Sequence, residues 1–557
     1  MAPRIAHLHT YFLFPFSLDK EALLEDHREV WQRRHHWMEG LDQWIAAHHP
    51  PGSSAVADSI GPWRRAANSR FDMDSPAYQD MVFFHPSVRR VFFDTTDASG
   101  ASKESLLRCY AIPIPPGSKV WLEARDRKGR GAAVQVTDLR LFLFANGIGI
   151  LSIGIEAHGL SLQEALWINE SMRKVYPSSG RQLRESRAPD HLILAVERES
   201  GRQVVVEERF EQAVMCGLQP PLARTVTALL YFADYARQEY EPVLDERMIV
   251  YTYVALDPAT LPPGFIQGDD YPVLLSRFLY VDRLGPGYRY EHGFTRAEME
   301  RQVYRRWAHE GTYYGFTSYS NLTATIGPRD CDEHQLAEGF LIHRMFDTRY
   351  YLMAVVALFY RATLLDFSVR TALVSKLLFL DQEDGALTLE NIHKASDLRA
   401  EFLHFTNYWY FSELANKDEE VEHFTLQARE CRIEPMKLEI EEEIEKLNAS
   451  LDSYYHFRST DAVNRLGMIS LLLGAGAVLT GFFGMNFGRE FGRLFFEPSP
   501  EAAWAHYAAV LGVALLAFGA LTFGVYVVLA NWADYRHILV PRAWMRRKRE
   551  GASLKRG

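Results

Sequence analysis

The sequence predicts a mixed α/β (or α+β) domain that is followed by a long stalk helix and two transmembrane helices near the C-terminal end. Three observations predict this order. Short β-forming runs alternate with helical patterns over residues 1–332, helical periodicity then continues over residues 333–465, and residues 466–483 and 507–530 contain no charged side chain. Each uncharged run is long enough to cross a hydrocarbon core of about 30 Å.

The part before the uncharged runs has the composition of a soluble protein. Charged residues make up 24% of the 557 residues, and nearly all of them lie outside the two runs. A chain of this length holds roughly two to four domains. The N-terminal segment has no basic stretch before its apolar patch, and Pro15 interrupts that patch. We therefore expect no signal peptide.

Local patterns assign the elements of residues 1–332. The clearest is a hairpin over residues 138–155 that turns at Asn146-Gly147. A helix is expected from Ser161, because Glu164 completes a capping box. Further strands are predicted at residues 90–93, 106–114, 119–123, 192–196, 203–206 and 248–256, further helices at 20–49 and 221–240, and a loop at 51–75.

Residues 333–465 are predicted to be helical throughout. The apolar run in 340–380 spans only about a dozen residues between Arg349 and Arg361, which is too short for a bilayer and favours a buried helix. Residues 389–465 follow, broken at most by Pro435. Apolar residues recur here with heptad spacing and predict a packing seam that leads directly into the first uncharged run. They are Ile433, Ile440, Ile444, Leu447, Leu451 and Tyr454.

Charge predicts the orientation in the membrane. Residues 536–557 carry eight lysines and arginines against one glutamate, whereas the loop 487–506 carries two arginines against three glutamates. Positively charged flanks stay in the cytoplasm. We therefore expect both termini in the cytoplasm, the loop outside, and the protein in the cytoplasmic (inner) membrane. The rest of the chain is acidic, which suits cations as ligands and argues against nucleic acid as a partner.

A stripe of small residues follows one side of the first uncharged helix. Reading back from Gly484 in alternating steps of three and four gives Gly481, Ala477, Gly474, Ser470, Gly467, Val463 and Thr460. These positions are called the small-residue stripe below. Small residues let helices approach closely. The stripe therefore predicts either a narrow pore between several copies of the chain or ordinary packing of two helices.

The triplet at the end of this run favours the pore. Gly484, Met485 and Asn486 close the first uncharged helix, and a second uncharged helix and a basic tail follow. Residues 390–550 thus resemble the CorA family of divalent-cation channels, whose signature is a Gly-Met-Asn triplet at this position. The resemblance implies a funnel-shaped homo-oligomer, a pentamer, with the triplet as its selectivity entrance. It also implies that the small-residue stripe lines the pore, and that either Leu466 or Gly467 occupies one of the pore-lining positions.

Two features depart from the family. Its acidic continuation after the triplet is replaced by FGREFGR at residues 487–493, and basic residues there weaken an external field that would concentrate cations. Its bulky gate residues are replaced by Gly474 and Ala477. This leaves Leu466 and Val463 as the expected constriction.

Acidic runs on the stalk are candidate regulatory sites. Asp418, Glu419, Glu420 and Glu422 form one run, and residues 439–445 contain a second. The resemblance implies that intracellular divalent cations bridge subunits, so loss of these carboxylates should weaken ion-dependent protection of the stalk. The pattern alone favours a solvated helix face. His35-His36 and His48-His49 are expected to face solvent or to cap the helix rather than to bind a metal.

The resulting expectation is a membrane channel and not an enzyme, because no hydrolase triad, zincin or nucleotide fingerprint occurs. The favoured ion is Mg²⁺, as cargo and as regulator, with no other cofactor. The partners are further copies of the chain and the lipid bilayer. The expected segments are 1–332, 333–465, 466–486, 487–506, 507–530 and 531–557. Two alternatives remain, namely a ZntB-like Zn²⁺, Co²⁺ or Ni²⁺ transporter, and a membrane-anchored cytosolic sensor or scaffold.

Overall fold

The computed structural model describes most of the chain. The described residues are 3–19, 38, 40–41, 44–45, 54–66, 82–94, 106–177, 188–210, 220–244, 247–268, 270–283, 290–327, 341–384, 387–484 and 504–530. Met485, Asn486, the loop 487–503 and the tail 531–557 lie outside them, as do most of the predicted helix 20–49 and its four histidines.

Thirteen strands within the described residues form one sheet. They are β1 Arg4–Leu18, β2 Arg64–Arg65, β3 Leu107–Ala111, β4 Lys119–Arg125, β5 Gly131–Phe144, β6 Ile148–Ser161, β7 His191–Arg198, β8 Gly201–Arg209, β9 Tyr240–Pro242, β10 Ile249–Leu256, β11 Val303–Tyr304, β12 Tyr313–Phe316 and β13 Ser320–Ile326. The main path runs β11-β12-β13-β10-β1-β6-β5-β4-β7-β8, with β2 on β3, β3 on β5 and β9 on β1. β10 and β13 are parallel, whereas β1 pairs antiparallel with its neighbours β10 and β6. The predominance of antiparallel pairing in this sheet favours the α+β class of the two that the sequence left open.

Strand β1 is the middle of this sheet, and the sequence did not predict it. Residues 8–16 are continuously buried, although Pro15 argues against a central strand. The structure accommodates Pro15 because β1 pairs with β10 only as far as Leu13 and with β9 only from Phe16. The Pro15 carbonyl accepts a bond from Val243 N at 3.2 Å on this side. The missing N–H of Pro15 therefore falls in the gap between the two partner strands.

The hairpin β5–β6 and the helix after it are confirmed. Gly147 has φ of 98°, and Asn146 Oδ1 accepts a bond from Ile148 N at 3.2 Å, so the turn lies where the sequence predicted it. The capping box of Ser161 and Glu164 is present. β6 also packs tightly on β1, since a Cβ at Gly149 would lie 2.2 Å from the Phe16 ring.

Twelve helices of five or more residues are found in the described part of the chain. They are α1 Ala55–Ser59, α2 Pro86–Phe92, α3 Leu162–Met172, α4 Arg224–Leu229, α5 Asp270–Leu279, α6 His292–Gln302, α7 Leu341–Asp347, α8 Arg349–Asp384, α9 Leu389–His404, α10 Asp418–Glu430, α11 Ile433–Gly484 and α12 Trp504–Ala530. A π-helical turn, Phe405–Trp409, follows α9.

Four sequence predictions need correction. The loop predicted at residues 51–75 contains helix α1 and strand β2. Residues 90–92 belong to helix α2, which has Pro86 in its first turn, and Phe93 is its C-cap, so these residues do not form the predicted strand. A single helix was predicted over residues 221–240, but the α-helix in this range is the short α4, Arg224–Leu229. The stalk was predicted as nearly continuous from residue 389. The structure has three separate helices here, α9, α10 and α11, and Arg432, with φ of 56°, lies between α10 and α11. Pro435 does not break α11, since a proline in the first turn removes no helical hydrogen bond.

The chain divides into two compact units, Met1–Arg370 with Ala400–Glu441, and Thr371–Arg399 with Glu442–Gly557. Helices α8, α9 and α11 contribute to both. The predicted seam is buried in the first unit at Ile433 and Ile440, and in the second at Ile444 and Leu451. In the second unit Leu387 N donates to Tyr454 Oη of α11 at 3.1 Å.

Two described helical stretches, Ile342–Asp381 and Ile433–Val478, are long and apolar enough to cross a membrane by length and composition alone. The most apolar window of the first is 67% buried within the chain, whereas that of the second is 0% buried. Residues such as Val355 and Phe359 of α8 are fully buried. The apolar run of α8 is therefore buried within the folded chain, as the sequence predicted, whereas Val369, Leu373 and Phe379 further along the helix are exposed.

Buried His423 predicts how stability depends on pH. Its ring contacts Tyr314, Phe316 and Tyr350, its Nδ1 has no hydrogen-bond partner, and burial lowers its pKa to about 3. The unfolded chain binds a proton near the ordinary pKa of 6.5. Unfolding therefore takes up a proton between about pH 6.5 and 3, and stability falls as pH falls through this window.

We expect His423→Phe to flatten the fall in unfolding free energy between pH 6 and 4 by about 1.4 kcal/mol per pH unit at most. Thermal unfolding of the purified full-length protein across this range measures the effect. The exposed His393 of α9 provides the matched control, because His393→Phe should leave the slope unchanged. An unchanged slope in His423→Phe would show that His423 does not contribute to the acid sensitivity.

Candidate functional site

Helix α11 places the predicted pore residues on one continuous rod. Its 52 residues correspond to a length of about 78 Å. This helix begins at Ile433 and continues without interruption through the uncharged run to Gly484. All eight predicted pore-lining residues lie on it, and Gly484 is its last residue. Met485 and Asn486 lie outside the described residues, so the geometry of the triplet stays a prediction.

The described part of the chain leaves the small-residue stripe uncovered. A Cβ added at Gly467, Gly474 or Gly481 would meet no atom within 4 Å. Val463 and Leu466, the expected constriction, are 63% and 64% exposed. Leu473, outside the stripe, is 69% exposed. Both faces of this helix thus lack cover by the residues that the structure describes.

The stripe and the seam lie on different sides of the same helix. In the second unit, Ile444 and Leu451 are buried. In a straight helix with 3.6 residues per turn, the mean direction of the stripe lies about 120° around from these two residues. The side that packs within the chain is therefore not the side that carries the small residues.

The side chains of the acidic run of α10 form more contacts within the chain than those of a solvated helix face would. Glu419 Oε1 accepts a bond from Trp307 Nε1 at 2.6 Å, and Glu422 Oε2 accepts one from Arg306 at 3.3 Å and another from Tyr304. Glu420 is only 2% exposed, and burial raises the pKa of its carboxyl. Asp418 is exposed. The run therefore joins α10 to the segment around β11, and its role as a regulatory cation site stays a prediction.

A second cluster, which the sequence analysis missed, lies on the sheet. His7 and His9 are two residues apart on β1 and so share a face. The antiparallel register places His7 opposite His158 of β6, and His9 opposite Glu156. Helix α7 contributes His343 to the same place. These five side chains are called the histidine cluster below.

Short contacts connect its members. His7 Nε2 lies 2.6 Å from Glu156 Oε1, and His9 Nδ1 lies 2.8 Å from His343 Nε2. The His158 ring stacks on that of His7 with 4.4 Å between centroids. One ligand atom from each of His7, Glu156 and His343 lies within 4.8 Å of the other two.

The surroundings set the charges of the cluster. The hydrogen bond from His7 lowers the pKa of Glu156 to about 2, so this carboxyl is ionised at neutral pH. Burial, reinforced by the neighbouring histidines, lowers the pKa of His9 to about 3 and that of His343 to about 4. Both imidazoles are therefore neutral at neutral pH and retain a lone pair.

A sequence signal for this cluster exists, but it is weak. The pattern His-x-His in β1 and Glu-x-His in β6 places polar residues on alternate positions of apolar strands. The cluster becomes visible only when the two strands pair, and β1 was not predicted as a strand.

Comparisons with known proteins add little. No protein-family model matches the chain, and no curated protein matches it in sequence. Among solved structures, the chain is similar to the complete structure of the CorA magnesium transporter from Methanocaldococcus jannaschii. The identity is 13%, the match covers 51% of this chain and 91% of that chain, and the TM-score is 0.21. This likeness is weak, and the argument for function depends on the residues of the chain itself.

The contrast between Glu419 and Asp418 tests the structural role of the acidic run. We expect Glu419→Ala to lower the free energy of unfolding by about 1 kcal/mol, because the Trp307 indole loses its acceptor. Asp418→Ala should change it by only a few tenths of a kcal/mol, through the helix dipole. Chemical denaturation of the full-length protein with and without Mg²⁺ measures both. If the two variants lose equal, Mg²⁺-dependent stability, the run acts as one cation site instead.

Proposed function

We propose that the protein is a CorA-like channel of the cytoplasmic membrane that passes divalent cations, with Mg²⁺ as its ion. The observation that supports this most is the continuity of α11, which runs from Ile433 to Gly484, the first residue of the Gly-Met-Asn triplet, with the small-residue stripe uncovered by the described part of the chain. The second uncharged helix, α12, and the basic tail complete the two-helix pattern that resembles the CorA family.

The chemistry of the triplet suits a hydrated divalent ion. Mg²⁺ gives up its water reluctantly and usually keeps several of its first-shell waters. A ring of carbonyls from Gly484 and amides from Asn486, one set from each copy, would hold these waters by hydrogen bonds. The ring is neutral, so it binds the ion less tightly than a ring of carboxylates and releases it faster, as conduction requires.

The small-residue stripe provides the path below this entrance. Gly481, Gly474 and Gly467 present no side chain, so the width between packed copies stays sufficient for an ion with some of its water. Val463 and Leu466 are the largest residues at pore-facing positions and would form the closure by excluding water. The membrane potential drives entry at about 2.3 kcal/mol per charge per 100 mV.

The acidic cytosolic part and the expected topology, with both termini in the cytoplasm, are consistent with import of cations. Residues 536–557 are strongly basic, and the triplet would then face the outside. The arginines at positions 489 and 493 are the main departure from the family, and they would lower the local concentration of cations at the entrance. We therefore expect slower entry than an acidic loop would allow, with the ion preference still determined by the triplet.

Replacement of Asn486 tests the proposal. We expect Asn486→Ala to reduce Mg²⁺ flux into liposomes to the level of protein-free vesicles, because the amide ring that holds the hydrated ion is lost. Asn531, just beyond the second uncharged run, provides the control, since Asn531→Ala removes the same group without touching the triplet. Size-exclusion chromatography should show the same oligomer for both variants. Wild-type flux in Asn486→Ala would remove the triplet from the mechanism and favour a membrane-anchored sensor or scaffold.

A further inference from the structure

We propose that His7, Glu156 and His343 bind one divalent transition-metal ion of the zinc class on the cytosolic sheet. This site is separate from the small-residue stripe and does not depend on the proposed channel function. It lies entirely within the first compact unit, where β1, β6 and α7 meet. The ion would connect α7 to the middle of the sheet.

The geometry of the three ligand atoms is close to that of a bound site. They lie within 4.8 Å of one another. Tetrahedral Zn²⁺ with bonds of about 2.0–2.1 Å holds its ligand atoms about 3.3 Å apart. A cation would therefore replace the 2.6 Å contact between His7 and Glu156 by a slightly wider spacing and draw His343 closer. Shifts of about an ångström at side-chain ends suffice for this change.

The donor set selects the class of metal. Two imidazoles and one carboxylate are typical ligands of Zn²⁺, Co²⁺ and Ni²⁺. Mg²⁺ prefers an octahedron of oxygen atoms and leaves its water reluctantly. The ion held here would thus differ from the Mg²⁺ that we propose as cargo.

The cluster also provides an open fourth position and a route to it. The side chain of His158 is 66% exposed, stacks on His7, and has Nε2 only 3.6 Å from Glu156 Oε1. Its ring or a water molecule would complete a tetrahedron. The side chains of Glu156 and His7 are 30% and 15% exposed, so the ion reaches the site from the side of His158.

A buried histidine behind the ligands is a second, independent observation. His9 is 4% exposed, and its Nε2 has no hydrogen-bond partner, although such a buried polar atom normally has one. Its Nδ1 contacts His343 Nε2 at 2.8 Å. Metal-binding histidines are usually held by such a partner on their other ring nitrogen. His9 is therefore a positioning residue for His343.

The alternative is a purely structural role, in which a hydrogen-bonded polar cluster packs α7 onto the sheet without an ion. In that case the side chains would satisfy one another, and added metal would bind no more tightly here than to other surface histidines. The two accounts differ in stoichiometry, in metal preference and in the effect of conservative substitutions.

Metal titration of the untagged, EDTA-treated full-length protein in detergent tests the proposal. We expect Co²⁺ to give visible absorption typical of tetrahedral N/O coordination at one ion per chain, and Zn²⁺ to displace it and raise the unfolding temperature. Millimolar Mg²⁺ should do neither. His343→Gln and Glu156→Gln should each weaken the affinity by more than about 100-fold, and His9→Gln by about 10- to 100-fold.

His309→Gln, at an exposed histidine of the same unit, should leave the titration unchanged. Should one ligand variant not fold, as judged by its circular dichroism, His7→Gln provides the second test of the same site. The proposal is wrong if the wild-type protein shows no one-to-one Co²⁺ spectrum. It is equally wrong if the ligand variants retain wild-type affinity, which would leave a hydrogen-bonded polar cluster only. Loss of Mg²⁺ flux in Asn486→Ala has no bearing on either result.

Discussion

The backbone hydrogen bonds of helix α11 are the constraint on which the functional account depends. They fix about 1.5 Å of rise and 100° of rotation for each residue. The positions of the buried residues Ile444 and Leu451 therefore set the direction in which each residue of the uncharged run points. Ile444 and Leu451 are buried, and the small-residue stripe points about 120° away from them, so the stripe lies outside the side of the helix that packs within the chain.

The apolar end of α11 differs in burial from the apolar run of α8. Large residues such as Leu473 and small residues such as Gly474 alternate around the helix, and the described part of the chain covers neither side. Helix α8 contains an apolar run of similar composition, but most of that run is buried within the chain. Burial thus distinguishes α8 from α11, although their apolar composition is similar. The same reasoning applies to the acidic run of α10, where only the structure distinguishes Glu419, which accepts a bond from Trp307, from exposed Asp418.

Local signals predicted elements wherever neighbours in sequence determine the structure. The turn at Asn146-Gly147 and the capping box at Ser161 need only residues a few positions apart, and both are confirmed. Strand β1 was missed because Pro15 is tolerated only through the gap between its partners β9 and β10, which are more than 200 residues away in sequence. The stripe of candidate pore residues follows from helical spacing. The histidine cluster requires the pairing of β1 with β6, so no local pattern predicts it.

The central claim is that the chain forms a pathway for divalent cations, and flux of the wild-type protein tests it most directly. Purified full-length protein would be reconstituted into liposomes that contain a Mg²⁺-sensitive dye, with an inside-negative potassium diffusion potential. The account predicts Mg²⁺ entry that rises with this potential and exceeds entry of Zn²⁺, Co²⁺ and Ni²⁺ measured in parallel. Entry of every ion at the rate of protein-free liposomes would contradict it.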